Sequence, residues 1–265
     1  MNFPLIIAHR GASALAPENT IVAFKKAIES DADGIEFDVR LTKDEIPIVF
    51  HDATLKKVSN KAVCVSKLCL EELQRIQKIG EWFNRKFPTK ASEEFLNEKI
   101  PTLEELLDFL RDFQGKIYLE IKGTEKQTLL LSEKIKEITE SNHLFKQIVF
   151  KSFRLKAIER LKEILPKART AALFDPRIVT LSRKIKIIQK ATELGADEIS
   201  IHYSLATEKF IRAAKASGFY VVTWTVDNPR WIQKALKIGI DALITNDPAK
   251  LIAERINAFS AKNLL

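Results

Sequence analysis

The stretch Gly34-Ile35-Glu36-Phe37-Asp38-Val39-Arg40-Leu41-Thr42-Lys43-Asp44-Glu45-Ile46-Pro47-Ile48-Val49-Phe50-His51-Asp52 decides how this chain folds. Its two apolar runs, Gly34 to Val39 and Ile46 to Phe50, read as strands separated by only a handful of residues. A parallel crossover needs a dozen residues or more, so the second run must return on the first as a hairpin. Centring that turn on Asp44-Glu45 places Asp38 opposite His51. Within the first run side chains alternate between two faces, so Glu36 and Asp38 point one way and Ile35, Phe37 and Val39 the other. Adjacent carboxylates repel unless a proton or cation lies between them. A divalent cation held by oxygen ligands is the simplest way to keep both ionised.

Working outward, the same design recurs. The run Leu5 to Ala8 delivers His9-Arg10, and Ile117-Tyr118-Leu119-Glu120-Ile121-Lys122 puts Glu120 and Lys122 on one face. The hairpin returns His51-Asp52 to the same end. Three carboxylates, two histidines, an arginine and a lysine at strand ends are the equipment for cutting a phosphate ester with a metal ion. Each has a plainer account when taken singly. A Glu-x-Asp is usually a solvated face, a histidine after an apolar run is more often packing, and lysine is abundant here. In an open sheet the carboxylate face would be water; in a barrel it is the interior, where unpaired charge is expensive. The chain has only 4 histidines, and two of them sit beside Arg10 and Asp52. Separately weak, the signals are strong together.

With 265 residues and 46% hydrophobic content, the chain is long enough for one α/β barrel with a sizeable core. No run approaches the ~20 apolar residues of a membrane span, and the start enters the first strand without a basic leader. Cys64 and Cys69 suit neither a zinc site nor a useful disulfide, which favours a reduced, cytoplasmic compartment. The net charge of +8 invites a nucleic-acid reading. However, Lys134, Lys136, Lys162, Arg183, Lys184 and Lys186 are spread along helical segments, with no basic block interleaved with aromatics. The charge can still favour anionic substrates or transient contact with an anionic membrane surface.

Strand-like and helix-like segments alternate to the end. Asn19 or Thr20 caps a helix through Glu29 with Val22, Ala23, Ala27 and Ile28 inward. Thr102 to Phe113 opens on a Thr102-x-x-Glu105 capping box. Later pairs are Gln147–Lys151 with Leu155–Leu165, Arg169–Leu173 with Ser182–Leu194, Glu198–His202 with Thr207–Ser217, and Tyr220–Trp224 with Arg230–Ile238. Asp241–Thr245 and a helix from Ala249 close the series. That makes nine strand candidates, one more than a (β/α)8 TIM barrel needs, and the hairpin strand is the extra one. Residues 1–265 are expected to form a single barrel, with 55–99 a small rim insertion after the second-strand hairpin. That insertion carries one helical stretch near Leu70 to Ile79 and an exposed-looking Trp82-Phe83.

These motifs resemble the glycerophosphodiester phosphodiesterase family. The string His9-Arg10-Gly11-Ala12, Pro17-Glu18-Asn19-Thr20, Ala23-Phe24, Glu36-x-Asp38-Val39, Thr42-Lys43-Asp44 and His51-Asp52 carries the resemblance in order and spacing. It continues through Glu120-Ile121-Lys122, Ser152-Phe153, Thr223-Trp224-Thr225-Val226 and Thr245-Asn246-Asp247-Pro248. The resemblance implies a (β/α)8 barrel that hydrolyses glycerophosphodiesters to glycerol 3-phosphate and an alcohol with Mg2+ or Ca2+. It makes His9 and His51 the acid/base pair and Glu36, Asp38 and Glu120 the ligands of one divalent cation. It also implies that Arg10 and Lys122 hold the phosphate and that Trp224 lines the glycerol side. The chain departs from the pattern at Glu45, where the family usually has glycine, and at Leu55-Lys56-Lys57-Val58, which stands in place of a Leu-x-Arg-Thr run.

The nucleophile is water or the neighbouring glycerol hydroxyl, the latter giving a cyclic phosphate first. A catalytically dead barrel used for binding would lack a ligand or a histidine, and none is missing. A nucleic-acid binder would need a concentrated basic face. Within the enzyme class the alternative is a lysophospholipase D-like cleavage of lipid headgroups, with Trp82, Phe83 and Phe87 as the apolar track. The charged insertion, with Lys56 and Lys57 near the site mouth, favours a small soluble diester as substrate.

Overall fold

In the computed structural model, which describes residues 3–176 and 184–262, strands and helices alternate as the sequence predicts. The strands are β1 Leu5–His9, β2 Gly34–Leu41, β3 Pro47–Val49, β4 Lys116–Ile121, β5 Ile148–Ser152, β6 Arg169–Phe174, β7 Glu198–His202, β8 Tyr220–Trp224 and β9 Ala242–Thr245. All but β3 pair in parallel, and β1 pairs with both β2 and β9, so eight strands close into a barrel. β3 lies antiparallel on β2 as the hairpin strand.

Alternation along each strand explains why both faces are buried. Ile6, Ala8, Ile35, Phe37, Val39, Leu119, Ile121 and Phe150 point outward into the layer of helices. Ile7, Tyr118, Val149, Ala171, Val222 and Ile244 fill the barrel interior. Above that inner layer, at the carboxyl ends of the strands, the interior positions turn polar. Parallel register puts His9 beside Glu36, Asp38 beside Glu120, and Glu120 beside Lys151.

The hairpin register differs from the sequence expectation by one residue. Val39 faces Val49 and Leu41 faces Pro47, and the Phe50 amide donates to the Asp38 carbonyl at 2.9 Å. Asp38 is therefore opposite Phe50, not His51. The cause is the turn. Thr42 and Ile46 close a three-residue loop through reciprocal hydrogen bonds, and Glu45 adopts a φ of +61°. His51 follows one step beyond, where its carbonyl accepts from the Arg40 Nε at 2.7 Å.

Helix boundaries also shift. Thr20 alone caps the helix Ile21–Glu29, accepting from the Ala23 amide, while Asn19 serves elsewhere. That helix buries Phe24 as well as Val22, Ala23 and Ala27, and Ile28 is only half-buried. The capping box at Thr102 and Glu105 is present, but its helix ends at Phe109. The predicted Ser182 helix start lies outside the described residues; the helix is described from Lys184 to Glu193.

The segment 55–99 carries more helix than expected. Leu70–Ile76 and Ile79–Lys86 are separate helices, broken where Gln77 turns extended. Gly80 permits the second helix to touch the Phe95 carbonyl, because a Cβ there would lie 1.6 Å from that oxygen. Phe83 is 1% exposed, not solvent-facing, and packs on the Phe87 and Phe95 rings at 4.9 and 5.4 Å; Trp82 is half-buried. Among the described residues no helix is long and apolar enough to cross a membrane.

Candidate active site

The site begins with a backbone device at the end of β1. Arg10 has a φ of +57° and Gly11 of +78°, so the chain turns sharply out of the barrel. A Cβ on Gly11 would lie 2.6 Å from the Ala23 carbonyl carbon, so only glycine lets this turn sit on the following helix. His9 stays over the barrel mouth and Arg10 folds back inward.

Glu36, Asp38 and Glu120 converge there, each offering one carboxylate oxygen within 4.8 Å of the others. All three are buried, at 0%, 1% and 5% exposure. Cations surround them: Arg10 Nε and Lys122 Nζ lie 3.1 and 3.2 Å from the two Asp38 oxygens, and Lys122 also pairs with Glu120. Lys151 Nζ is 2.7 Å from Glu36 and 3.7 Å from Glu120. Asn19 donates from its side-chain amide to Asp38 at 3.0 Å. One oxygen on each of the three carboxylates lacks a well-aligned hydrogen bond and is held by charge alone. Burial works to raise the Asp38 pKa, but Lys122 and Arg10 outweigh it and keep the carboxyl well below its usual range. Glu36 is lowered in the same way, with Lys151 the main charge opposing burial. Lys122 is raised: burial opposes its charge, and Asp38 and Glu120 more than compensate.

A fourth buried carboxylate, Glu198, makes a contrast at the other end of the barrel. It accepts from the Tyr118 hydroxyl at 2.8 Å and pairs with Lys116 and Arg169 at 3.1 and 3.3 Å. It is a single acid met by a hydroxyl and two cations, whereas the triad gathers three acids, each with an oxygen that meets only a lysine ammonium. An all-oxygen, anionic donor set suits a hard divalent cation.

The two histidines flank the triad differently. His9 Nδ1 is 2.7 Å from Asn246 Oδ1, and its Nε2 is 3.9 Å from Glu36. The side-chain amide of Asn246 donates to Asp227 at 2.8 Å, which fixes Oδ1 as the atom facing His9. Nδ1 must then carry the proton, leaving the Nε2 lone pair toward the site. Burial and the adjacent Arg10 charge lower the His9 pKa against the pull of Glu36. His51 is about one-third exposed and pairs through Nδ1 with Asp52 Oδ1 at 2.8 Å. It is near enough to Asp38 to help lower that carboxyl.

Trp224 stands at the rim, its ring 5.5 Å from Phe153 and 5.3 Å from His202, and Lys122 Nζ lies 5.7 Å from the Phe153 ring. Beside His9 opens a groove of about 410 Å³ that includes Glu18, Lys57, Trp82, Phe87, Lys90 and Asn246. Lys57 bridges to Glu18 at 2.8 Å, and Glu18 holds Arg10 at 3.0 Å. Lys56, in contrast, is exposed and does not line the groove.

Sequence reasoning missed Lys151, Asn246 and the site role of Asn19. Lys151 was detectable, because it follows Val149 by two residues and so shares the inward face of β5. Asn246 belongs to a quoted motif, but nothing local links it to His9, 237 residues away.

Fold and site together define a barrel hydrolase. Residues 9–250 match the model of the glycerophosphoryl diester phosphodiesterase family, and the chain belongs to that family. It is 31% identical over 248 residues to a glycerophosphodiester phosphodiesterase of Caldanaerobacter subterraneus subsp. tengcongensis, covering 94% of this chain and 96% of that one. It is 27% identical to a glycerophosphodiester phosphodiesterase of Bacillus subtilis, covering 92% and 84% of the two chains. Among solved structures, an Oleispira antarctica phosphodiesterase in complex with the product sn-glycerol-3-phosphate superposes with a TM-score of 0.83 at 25% identity, covering 95% and 96%. The Agrobacterium tumefaciens glycerophosphodiester phosphodiesterase gives 0.76 at 23% identity over 94% and 99%, a likeness of fold. The protein is a phosphoric diester hydrolase of this family.

Proposed function

We propose that the protein hydrolyses glycerophosphodiesters to glycerol 3-phosphate and an alcohol, with one divalent cation, Mg2+ or Ca2+, held by Glu36, Asp38 and Glu120. The observation that carries this reading is the convergence of three buried carboxylates beside the free Nε2 edge of His9. The Oleispira antarctica phosphodiesterase, solved with its product sn-glycerol-3-phosphate, supports the same substrate class. When bound, such an ion supplies Lewis-acid polarisation of a phosphoryl oxygen.

The remaining chemistry falls to the chain's own residues. Arg10 and Lys122 place positive charge where the phosphoryl transition state gathers negative charge. His9, kept neutral by burial and Arg10, takes the proton of the nucleophile at Nε2, either water directly or the neighbouring glycerol hydroxyl, whose cyclic phosphate a water then opens. His51, oriented by Asp52 and open to solvent, gives a proton to the departing alcohol. Trp224 and Phe153 form the wall against the glycerol carbons.

The lysophospholipase D-like reading retains one supporting feature, the Trp82 and Phe87 rings in the rim groove. Lysines from the same stretch dilute that apolar area: Lys57 Nζ lies 4.3 Å and Lys86 Nζ 5.6 Å from the centre of the Trp82 ring. A small soluble diester suits this surface better than an acyl chain.

The test is release of glycerol 3-phosphate from a panel of glycerophosphodiesters, with and without chelator. His9→Ala and His51→Ala should each slow turnover by roughly 10²–10⁴-fold with the fold intact. Full activity in chelator would remove the cation from the reading, and near-normal activity of either variant would make that histidine a packing residue.

A further inference from the structure

Lys151 is a buried ionisable group within the carboxylate cluster that this mechanism does not use. It ends the inward face of β5 at 2% exposure, with its ammonium among the carboxylates assigned to the cation. Around it the charges balance. Glu36, Asp38 and Glu120 are matched by Arg10, Lys122 and Lys151. Beyond them, Glu18 is matched by Lys57, and Asp52, beside His51, lies within reach of the Arg40 charge. A three-carboxylate site without Lys151 would carry a net negative charge and attract a divalent cation strongly. With Lys151 the pocket is neutral before any ion enters, so a bound cation leaves an excess of two positive charges in a low-dielectric interior.

We propose that Lys151 makes cation binding conditional on the phosphate ligand. The free protein holds Mg2+ or Ca2+ weakly; a phosphodiester monoanion halves the excess charge, a phosphomonoester dianion cancels it, and either draws the cation in. Linkage then requires the converse, so the cation tightens the phosphate ligand by the same factor. This rests on the assignment of the cation to the carboxylate triad. It goes further in naming the residue that sets the affinity and couples the two ligands.

The experiment is calorimetric titration of the metal-stripped protein with CaCl2 or MgCl2, alone and with saturating sn-glycerol 3-phosphate, in the wild type and in Lys151→Gln. Glutamine keeps a donor for Glu36 but removes the charge. The wild type should bind the cation at least about tenfold more tightly with glycerol 3-phosphate present, a conservative figure for one charge at close range. Lys151→Gln should bind it at least about tenfold more tightly than wild type without the phosphate, and lose most of the coupling. Equal cation affinity in wild type with and without glycerol 3-phosphate would overturn the proposal even if Lys151→Gln did not fold. So would an unchanged cation affinity in a folded Lys151→Gln. Tight, phosphate-independent binding would refute the coupling while leaving the triad as the cation site; no binding by any form under either condition would refute the triad assignment itself.

Discussion

Asn246 Oδ1 accepts from His9 Nδ1 at 2.7 Å, joining the end of the last barrel strand to the end of the first. Ser13 donates to the same oxygen at 3.0 Å, and Asp227 anchors the amide from the other side. The imidazole is thus held in one tautomer and one orientation from the end of the last strand of the barrel.

Removing this acceptor should change rate and pH dependence together. Asn246→Ala is expected to lower kcat by about tenfold or more, as for other groups that orient a functional imidazole. The wild-type kcat/KM should fall on the acid side below pH 6.5, because the His9 pKa lies under that ordinary value and protonation removes the base. The Asn246 contact raises the His9 pKa, so its loss should move the acid limb to lower pH still. A pH profile that keeps its wild-type limb in Asn246→Ala would show that Asn246 does not act through His9.

Acid stability should follow the carboxylates around Arg10. Burial works to raise the Glu18 pKa, yet Arg10 and Lys57 hold it below its ordinary 4.5. A carboxyl lowered on folding stabilises the protein above its unfolded pKa and loses that contribution as pH falls through its folded pKa. Thermal unfolding should therefore be nearly flat down to about pH 5 and then decline. Glu18→Gln should have a lower Tm at neutral pH and a shallower acid decline. Parallel curves for the two proteins would assign the acid sensitivity elsewhere.

The hairpin turn contains a correctable strain. Glu45 sits at a φ of +61°, in the left-handed region that favours glycine. Glu45→Gly is expected to stabilise the protein by about 1 kcal/mol, read from chemical denaturation at unchanged m-value. It should leave KM unaltered, because β2 and β3 keep their register. Destabilisation by this change would mean that the turn is closed in another way.

Headgroup choice is testable at the rim. Soluble diesters such as glycerophosphoethanolamine or glycerophosphocholine should be cleaved faster than any lysophospholipid in matched assays below the critical micelle concentration. A clear preference for the lysolipid would promote Trp82 and Phe87 to acyl-chain contacts and establish the headgroup-releasing alternative.

The barrel was legible because strand parity and connection length are local properties. Nine apolar runs, one too close to its neighbour for a crossover, were enough to separate β3 from the barrel strands. Glu36, Asp38 and Glu120 were legible for the same reason, since each shares a parity with the residue two positions away. The one-residue error at His51 came from the turn, where a left-handed Glu45 lengthened the loop in a way that residue type disfavours. Phe83 was misjudged because its burial depends on Phe95 and on the helix Ile21–Glu29, which a short charged window does not reveal. Lys151 was passed over because lysine ends many solvated strands; only barrel closure turns that position inward.

The pairing of β1 with β9, Ala8 beside Thr245, also sets a clock on synthesis. His9 leaves the ribosome 237 residues before Asn246. Until the final strand emerges, the imidazole lacks its fixed tautomer and the ring of strands stands open. The His9–Asn246 contact is thus withheld from every nascent intermediate and arrives only with closure of the ring.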